Sequence, residues 1–221
     1  METKPVRTTL GLLSTPMIAP MVRVLLLVVG VTLTVDAFSG QTFFQEAGGI
    51  LVMEVESAPP AGDWKAETEL KGFKGECYYT WRGQNYFKNP SQKGVLTYTF
   101  VITTPGKYHL RIHNRHDFHD STESNDCYTR MDGGKWVKTF SSKRGEWTFH
   151  SNHEFSHSSK LPANYELSAG VHTLELAGRS KDFSIDRIHL FLDGKKGDDA
   201  SLPQSRPATL PANQIPVNSK K

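Results

Sequence analysis

The residues able to do chemistry in this 221-residue chain gather in its middle. Seven of the nine histidines fall between His109 and His157. His113, His116 and His119 are spaced by three, as are His150 and His153. On a helix such spacing could collect rings around zinc or copper. The flanking residues point to a strand instead: Tyr108, Leu110 and Ile112 alternate with His109, Arg111 and His113, a period of two. From His116 to Asp126 apolar residues nearly stop, with a single Phe among two His, three Asp, Glu, Asn, two Ser and Thr. A loop so polar is not core filler. Two readings stand: solvated or strand-surface histidines, or a metalloprotein site built from His116, His119 and Asp120. Asn125-Asp126 closes the loop; it could meet a sugar hydroxyl or a cation, or cap the loop through its own backbone.

A second chemistry is open to the aromatic residues, 10% of the chain. Sugars are held in water by aromatic faces against C–H patches and by planar polar groups on hydroxyls. Tyr78, Tyr79, Trp81 and Tyr86 lie in or beside a loop over 82–94. Trp147, Phe149 and Phe155 lie near 141–164, and Arg179, Lys181 and Asp182 precede the last strand. The candidate ligand-binding set is therefore Trp81, Tyr79, Trp147, Asp126, Asn125, Arg179 and Asp182, with Trp81 and Trp147 as exposed platforms. Catalytic signatures are missing: there is no Gly-x-Ser-x-Gly, His-Glu-x-x-His or Gly-rich phosphate loop. A carboxylate pair for glycosidic cleavage stays compatible with the many acids, but a small sandwich that uses the whole polypeptide is expected to bind rather than cleave.

The elements that must position these residues read as strands. Ile50–Glu56 is the first. Gly75–Trp81, Val95–Thr103, the stretch from Gly106, Cys127–Met131, Trp136–Phe140, Glu146–His150, Val171–Ala177 and Ser184–Leu192 follow, with turn signals between. Residues 64–73 fit either one helical turn or an irregular loop. Residues 151–164 read as a second His-rich loop. Eight to ten short strands imply an all-β sandwich or barrel. At the N-terminus Arg23 precedes an apolar run over 24–35, of signal-peptide length, with cleavage expected between Ala37 and Gln41. Residues 1–40 are thus an export segment, 41–193 one domain, and 194–221 a disordered Pro-rich tail. A secreted or periplasmic location follows, with no membrane contact beyond the export signal. The formal charge of +3 and the absence of basic runs interleaved with aromatics argue against nucleic acid. Cys77 and Cys127 permit one disulfide or two buried thiols.

Three stretches together resemble the family 6 and family 35 carbohydrate-binding modules. They are the acidic pair in Met53-Glu54-Val55-Glu56, the turn into a strand at Pro105-Gly106-Lys107-Tyr108, and Leu167-x-x-Gly170-Val171-His172-Thr173-Leu174 followed by Ser184-Ile185-Asp186-Arg187-Ile188. The resemblance spans roughly 48–193. It implies a β-sandwich jelly roll of the galactose-binding-domain-like kind, a polysaccharide or glycan as partner, and a structural calcium held by Glu54, Glu56 and Asp186. The residues bear on this directly. Glu54 and Glu56, two apart on a strand, share a face, and three hard carboxylates with backbone carbonyls suit calcium. The alternative pairs these acids with Arg187, Arg111 or Arg179. The sequence departs from the family in lacking a clear Asn before the last strand and a matched aromatic pair. The expected function is an exported, non-catalytic glycan-binding domain with a structural calcium. The competing expectations are a His-rich-loop metalloprotein and an extracellular domain that contacts other proteins.

Overall fold

The structure is a computed structural model and describes residues 43–207; the expected export segment and the end of the tail lie outside the described residues. The strands are β1 (Phe44–Gln45), β2 (Ile50–Glu54), β3 (Trp64–Glu67), β4 (Tyr78–Trp81), β5 (Val95–Ile102), β6 (Gly106–Arg115), β7 (Asp126–Met131), β8 (Val137–Phe140), β9 (Asn152–Ser156), β10 (Ser159–Pro162), β11 (Asn164–Leu167), β12 (Gly170–Gly178) and β13 (Ser184–Leu192). They form two sheets, and the expected all-β sandwich is what the chain builds. One sheet runs β1-β5-β12-β7-β8-β9-β10 and the other β11-β6-β13-β4-β3, with β2 also paired to β13. The alternation in the sequence decides which side chains face inward. Leu96, Tyr98, Phe100 and Ile102 of β5 meet Tyr108, Leu110 and Ile112 of β6 and Ile185, Ile188 and Leu190 of β13 in a single core. Full burial of each such side chain is worth roughly 1.5–3 kcal/mol.

β13 is the hinge of the second sheet. One edge pairs with β6 along its length; the other pairs first with β4 at Ser184 and Ile185, then with β2 from Arg187 to Phe191. The register shifts between Ile185 and Arg187, so Asp186 sits on a bulge where β4 hands over to β2. Bulges re-aim a side chain, and here Asp186 is fully buried.

Several local expectations are corrected. The first strand ends at Glu54 and turns into a 3-10 turn over Val55–Ser57. Residues 64–67 form β3, paired to β4. Glu146–His150 is not a strand and makes only a bridge between Thr148 and Asn114. Beside that bridge, Trp147 and Phe149 stack on His113. The second His-rich loop is instead the β9–β10 hairpin. The tail is not free from 194. The buried Arg187 donates to the carbonyls of Ala200 and Leu202, and Ser205 exchanges hydrogen bonds with the Val52 backbone. Polar side chains buried on β13 need acceptors, and the tail supplies them with its backbone, which a low apolar content does not reveal. Cys77 and Cys127 are free thiols, and burial pushes the Cys127 thiol up.

Candidate functional site

At one end of the six-stranded sheet, β6, β13, β4 and β3 lie side by side and their outer faces form a cleft of about 520 Å³. Glu67 and Thr80 come from β3 and β4, Ser184 from the start of β13, and Arg115 from the end of β6, continuing into His116, Asp117 and Phe118. These polar groups are fixed by one another. Arg82 donates through Nε and Nη2 to the two oxygens of Glu67 at 2.7 and 2.8 Å, a bidentate fork, and through Nη1 to Asp182. The Glu67 hydrogen bonds, first among the causes, raise the Arg82 pKa above its usual value. Thr80 bridges Glu67 and Ser184 through its hydroxyl, at 3.0 and 2.8 Å. Arg115 donates to both oxygens of Asp117. Asp182 takes a positive φ of 66°, which Asp tolerates better than most residues, and this turn places its carboxylate against Arg82.

Apolar surface completes the cleft. Phe118, the single Phe of the polar loop, is 42% exposed and packs in a tilted arrangement on His119 at 4.2 Å between centroids. His116 beneath it is buried, and neither ring nitrogen makes a hydrogen bond of normal geometry. Burial lowers its pKa; the neighbouring Lys143 backbone works against that and does not prevail.

The residues singled out in the sequence are dispersed. Asp182 is exposed and lines the cleft. Trp81 is not a platform: it is fully buried, its edge against Trp64 at 5.4 Å, and its Nε1 donates to the Gln84 carbonyl. Three glycines make room for it. A Cβ at Gly178 would lie 2.0 Å from the indole, and at Gly83 or Gly94 2.5 Å. Tyr79 is also core, with its hydroxyl donating to Ala58. Trp147 is half-buried, stacked on His113 and donating to the Lys71 carbonyl. Asn125 caps the loop by donating to the carbonyls of Ser121 and Ser141. Asp126 is buried, accepting from Arg179 and Ser180 and paired with Lys138 at 3.3 Å. Arg179 lies between the rings of Phe87 and Tyr128. The histidines do not converge either. His113 meets Asp186, His119 lies on Phe118, and Asp120 accepts from Thr122. Sequence reasoning passed over Arg82, Glu67, Arg115, Asp117 and Phe118. Only Phe118 carried a signal, as the lone apolar residue of its loop.

A second acidic cluster lies at the bulge. Glu54 accepts a fork from Arg187 through Nε and Nη2, at 2.9 and 2.5 Å. Asp186 accepts from the Lys74 amide and lies 2.6 Å from Nδ1 of His113. Glu56 accepts from the Glu76 amide with Oε1, while its Oε2 is buried without a partner. The carboxylates approach one another at Gly75, whose positive φ of 67° suits glycine and whose Cβ would meet Glu56 Oε1 at 2.1 Å and Glu54 Oε2 at 3.3 Å. Burial raises the pKa of both Glu54 and Glu56, and the neighbouring acids push the same way. A hard-oxygen donor set with an orphaned carboxylate oxygen fits a divalent cation in charge. Arg187 and the Lys74 amide already hold two of the three acids, and among the described residues no group of three or more His, Cys, Asp or Glu is arranged as a metal cage.

No family profile matches the chain, and no curated protein matches it. Among solved structures it is similar to the Podospora anserina GH26-CBM35 β-(1,4)-mannanase, at 19% identity and a TM-score of 0.49 over 68% of this chain and 29% of that one. It thus spans less than a third of that enzyme. It is similar to the C-terminal family 6 module of a marine laminarinase from Zobellia galactanivorans, at 14% identity and a TM-score of 0.43, covering 64% of this chain and 98% of that one. It is also similar to a family 35 carbohydrate-binding module from Clostridium thermocellum, at 16% identity and a TM-score of 0.42, covering 65% and 98%.

Proposed function

We propose that this chain is an exported, non-catalytic glycan-binding domain whose ligand lies in the cleft between Arg82 and Phe118. The observation that carries the reading is the cleft itself: planar guanidinium and carboxylate groups held rigid by mutual hydrogen bonds, beside one exposed aromatic ring. Such preorganised groups exchange hydrogen bonds with sugar hydroxyls at little ordering cost, and Phe118 offers a face to sugar C–H groups. A glycan array and affinity electrophoresis with the full chain test this. Phe118→Ala is expected to weaken binding roughly tenfold with an unchanged melting temperature. Unaltered binding in both Phe118→Ala and Arg82→Ala sinks the assignment. Export rests on the apolar run over 24–35 behind Arg23.

The same proposal includes a structural calcium at Glu54, Glu56 and Asp186. Its support is the buried, unpartnered Oε2 of Glu56 and the mutual approach of the acids at Gly75. Bound there, the ion would offset carboxylate repulsion that Arg187 alone leaves uncompensated. Calcium is expected to raise the melting temperature by several degrees and a chelator to reverse it, with Glu56→Gln abolishing the response. An identical melting temperature with calcium and with chelator removes the ion from the account.

A further inference from the structure

The charges in the cleft bear on the kind of glycan it could take. Four carboxylates, those of Glu67, Glu69, Asp117 and Asp182, share its lining with two guanidiniums, Arg82 and Arg115. Both guanidiniums are engaged by these acids, Arg82 by Glu67 and Asp182 and Arg115 by Asp117. No lysine lines the cleft. His116 is buried, and burial pushes its pKa down, against a positive charge there. A surplus of two negative charges therefore faces whatever enters. Glu69 spends one oxygen on the Thr68 amide and, weakly, on the Tyr78 hydroxyl, and Asp182 spends one on Arg82; the other oxygen of each is open to a donor. The exposed ring of Phe118 sits in the same lining. Carboxylates beside an aromatic face are a setting for an ammonium group, through ion pairing and cation–π attraction together. A uronate would meet like charge and no unspent cation.

We propose that this cleft selects sugar chains carrying a free amine over their neutral N-acetylated forms, and rejects uronates. The proposal rests on the cleft being the glycan site. The test measures binding of the full chain to glucosamine oligomers, their N-acetylated equivalents and galacturonate oligomers, at a pH where the amine is charged. Amine-bearing oligomers are expected to bind about five- to tenfold more tightly than the acetylated ones, with no measurable binding of the uronates. The preference should shrink severalfold between about 0.02 and about 0.5 M salt, as screening shortens the reach of the field. Asp182→Asn and Glu69→Gln should each lower the ratio of amine-bearing to acetylated affinity severalfold. Equal affinity for amine and acetylated forms, or tighter uronate binding, overturns the proposal. If a neutral glycan binds without amine preference and Phe118→Ala abolishes it, the selectivity falls while the glycan site stands. If no glycan of any class binds, both fall.

Discussion

Two clusters of acids and arginine sit on the same six-stranded sheet and are put to opposite uses. In the cleft, Arg82 and Asp182 have side chains 43% and 50% exposed. At the bulge, Arg187 and Glu54 have side chains 4% and 10% exposed. Both arginines fork onto a glutamate, Glu67 in the cleft and Glu54 at the bulge, but the remaining Nη1 goes to the exposed Asp182 in one and to the tail carbonyls in the other. Exposed pairs are worth little because water and salt screen them. A buried pair holds because losing one partner strands the other without solvent. The bulge cluster is therefore a structural joint, whereas the cleft keeps its charges at the surface.

The contrast can be broken by experiment. Arg187→Ala should cost about 3–5 kcal/mol of stability, since it strands Glu54 and releases the tail carbonyls of Ala200 and Leu202. Urea unfolding measures this, and a loss under about 1 kcal/mol would make the buried joint no different from the exposed one. Acid should act through two buried histidines, His189 on β13 and His153 on β9 of the other sheet. His189 and His153 are buried, and burial pushes each pKa down to about 4. The unfolded chain, with histidines near their usual 6.5, then binds more protons between about pH 4 and 6.5. Stability is complete above that window and lost as pH falls through it, by up to about 3 kcal/mol per histidine. His153→Phe should flatten part of that slope; a melting temperature equally steep in the variant would place the acid sensitivity elsewhere. The smallest effect belongs to the cleft, where Arg82→Ala should change stability by about 1 kcal/mol or less and glycan affinity by far more. A larger loss of stability would mean that the Arg82 network is scaffold.

Much of the scaffold was legible, because a period of two in β5, β6, β12 and β13 is a direct consequence of strand geometry. The pairing of Glu54 with Arg187 was among the readings the acids themselves allowed. The site was less legible. Alternation places Tyr79 and Trp81 on one face, but which face is inward depends on what packs there. The polar residues after Trp81 pointed outward; Gly83, Gly94 and Gly178 decided the opposite by clearing space for the indole. The cleft itself is assembled from β3, β4, β6 and β13, whose nearness is a property of the pairing and is not encoded in any one segment. The docking of the described part of the tail, up to residue 207, is hidden for a related reason, since it uses backbone groups that carry no compositional mark.

The place of β13 has a consequence for how the protein comes into being. Glu54 and Arg187 are 133 residues apart in the chain, and β2, β4 and β6 all pair with β13. Contacts so distant close late and slowly. During synthesis the second sheet lacks its central strand until residue 192 has emerged. For most of that interval β2, β4 and β6 stand without the strand that joins them, and the second sheet becomes one piece only at the end.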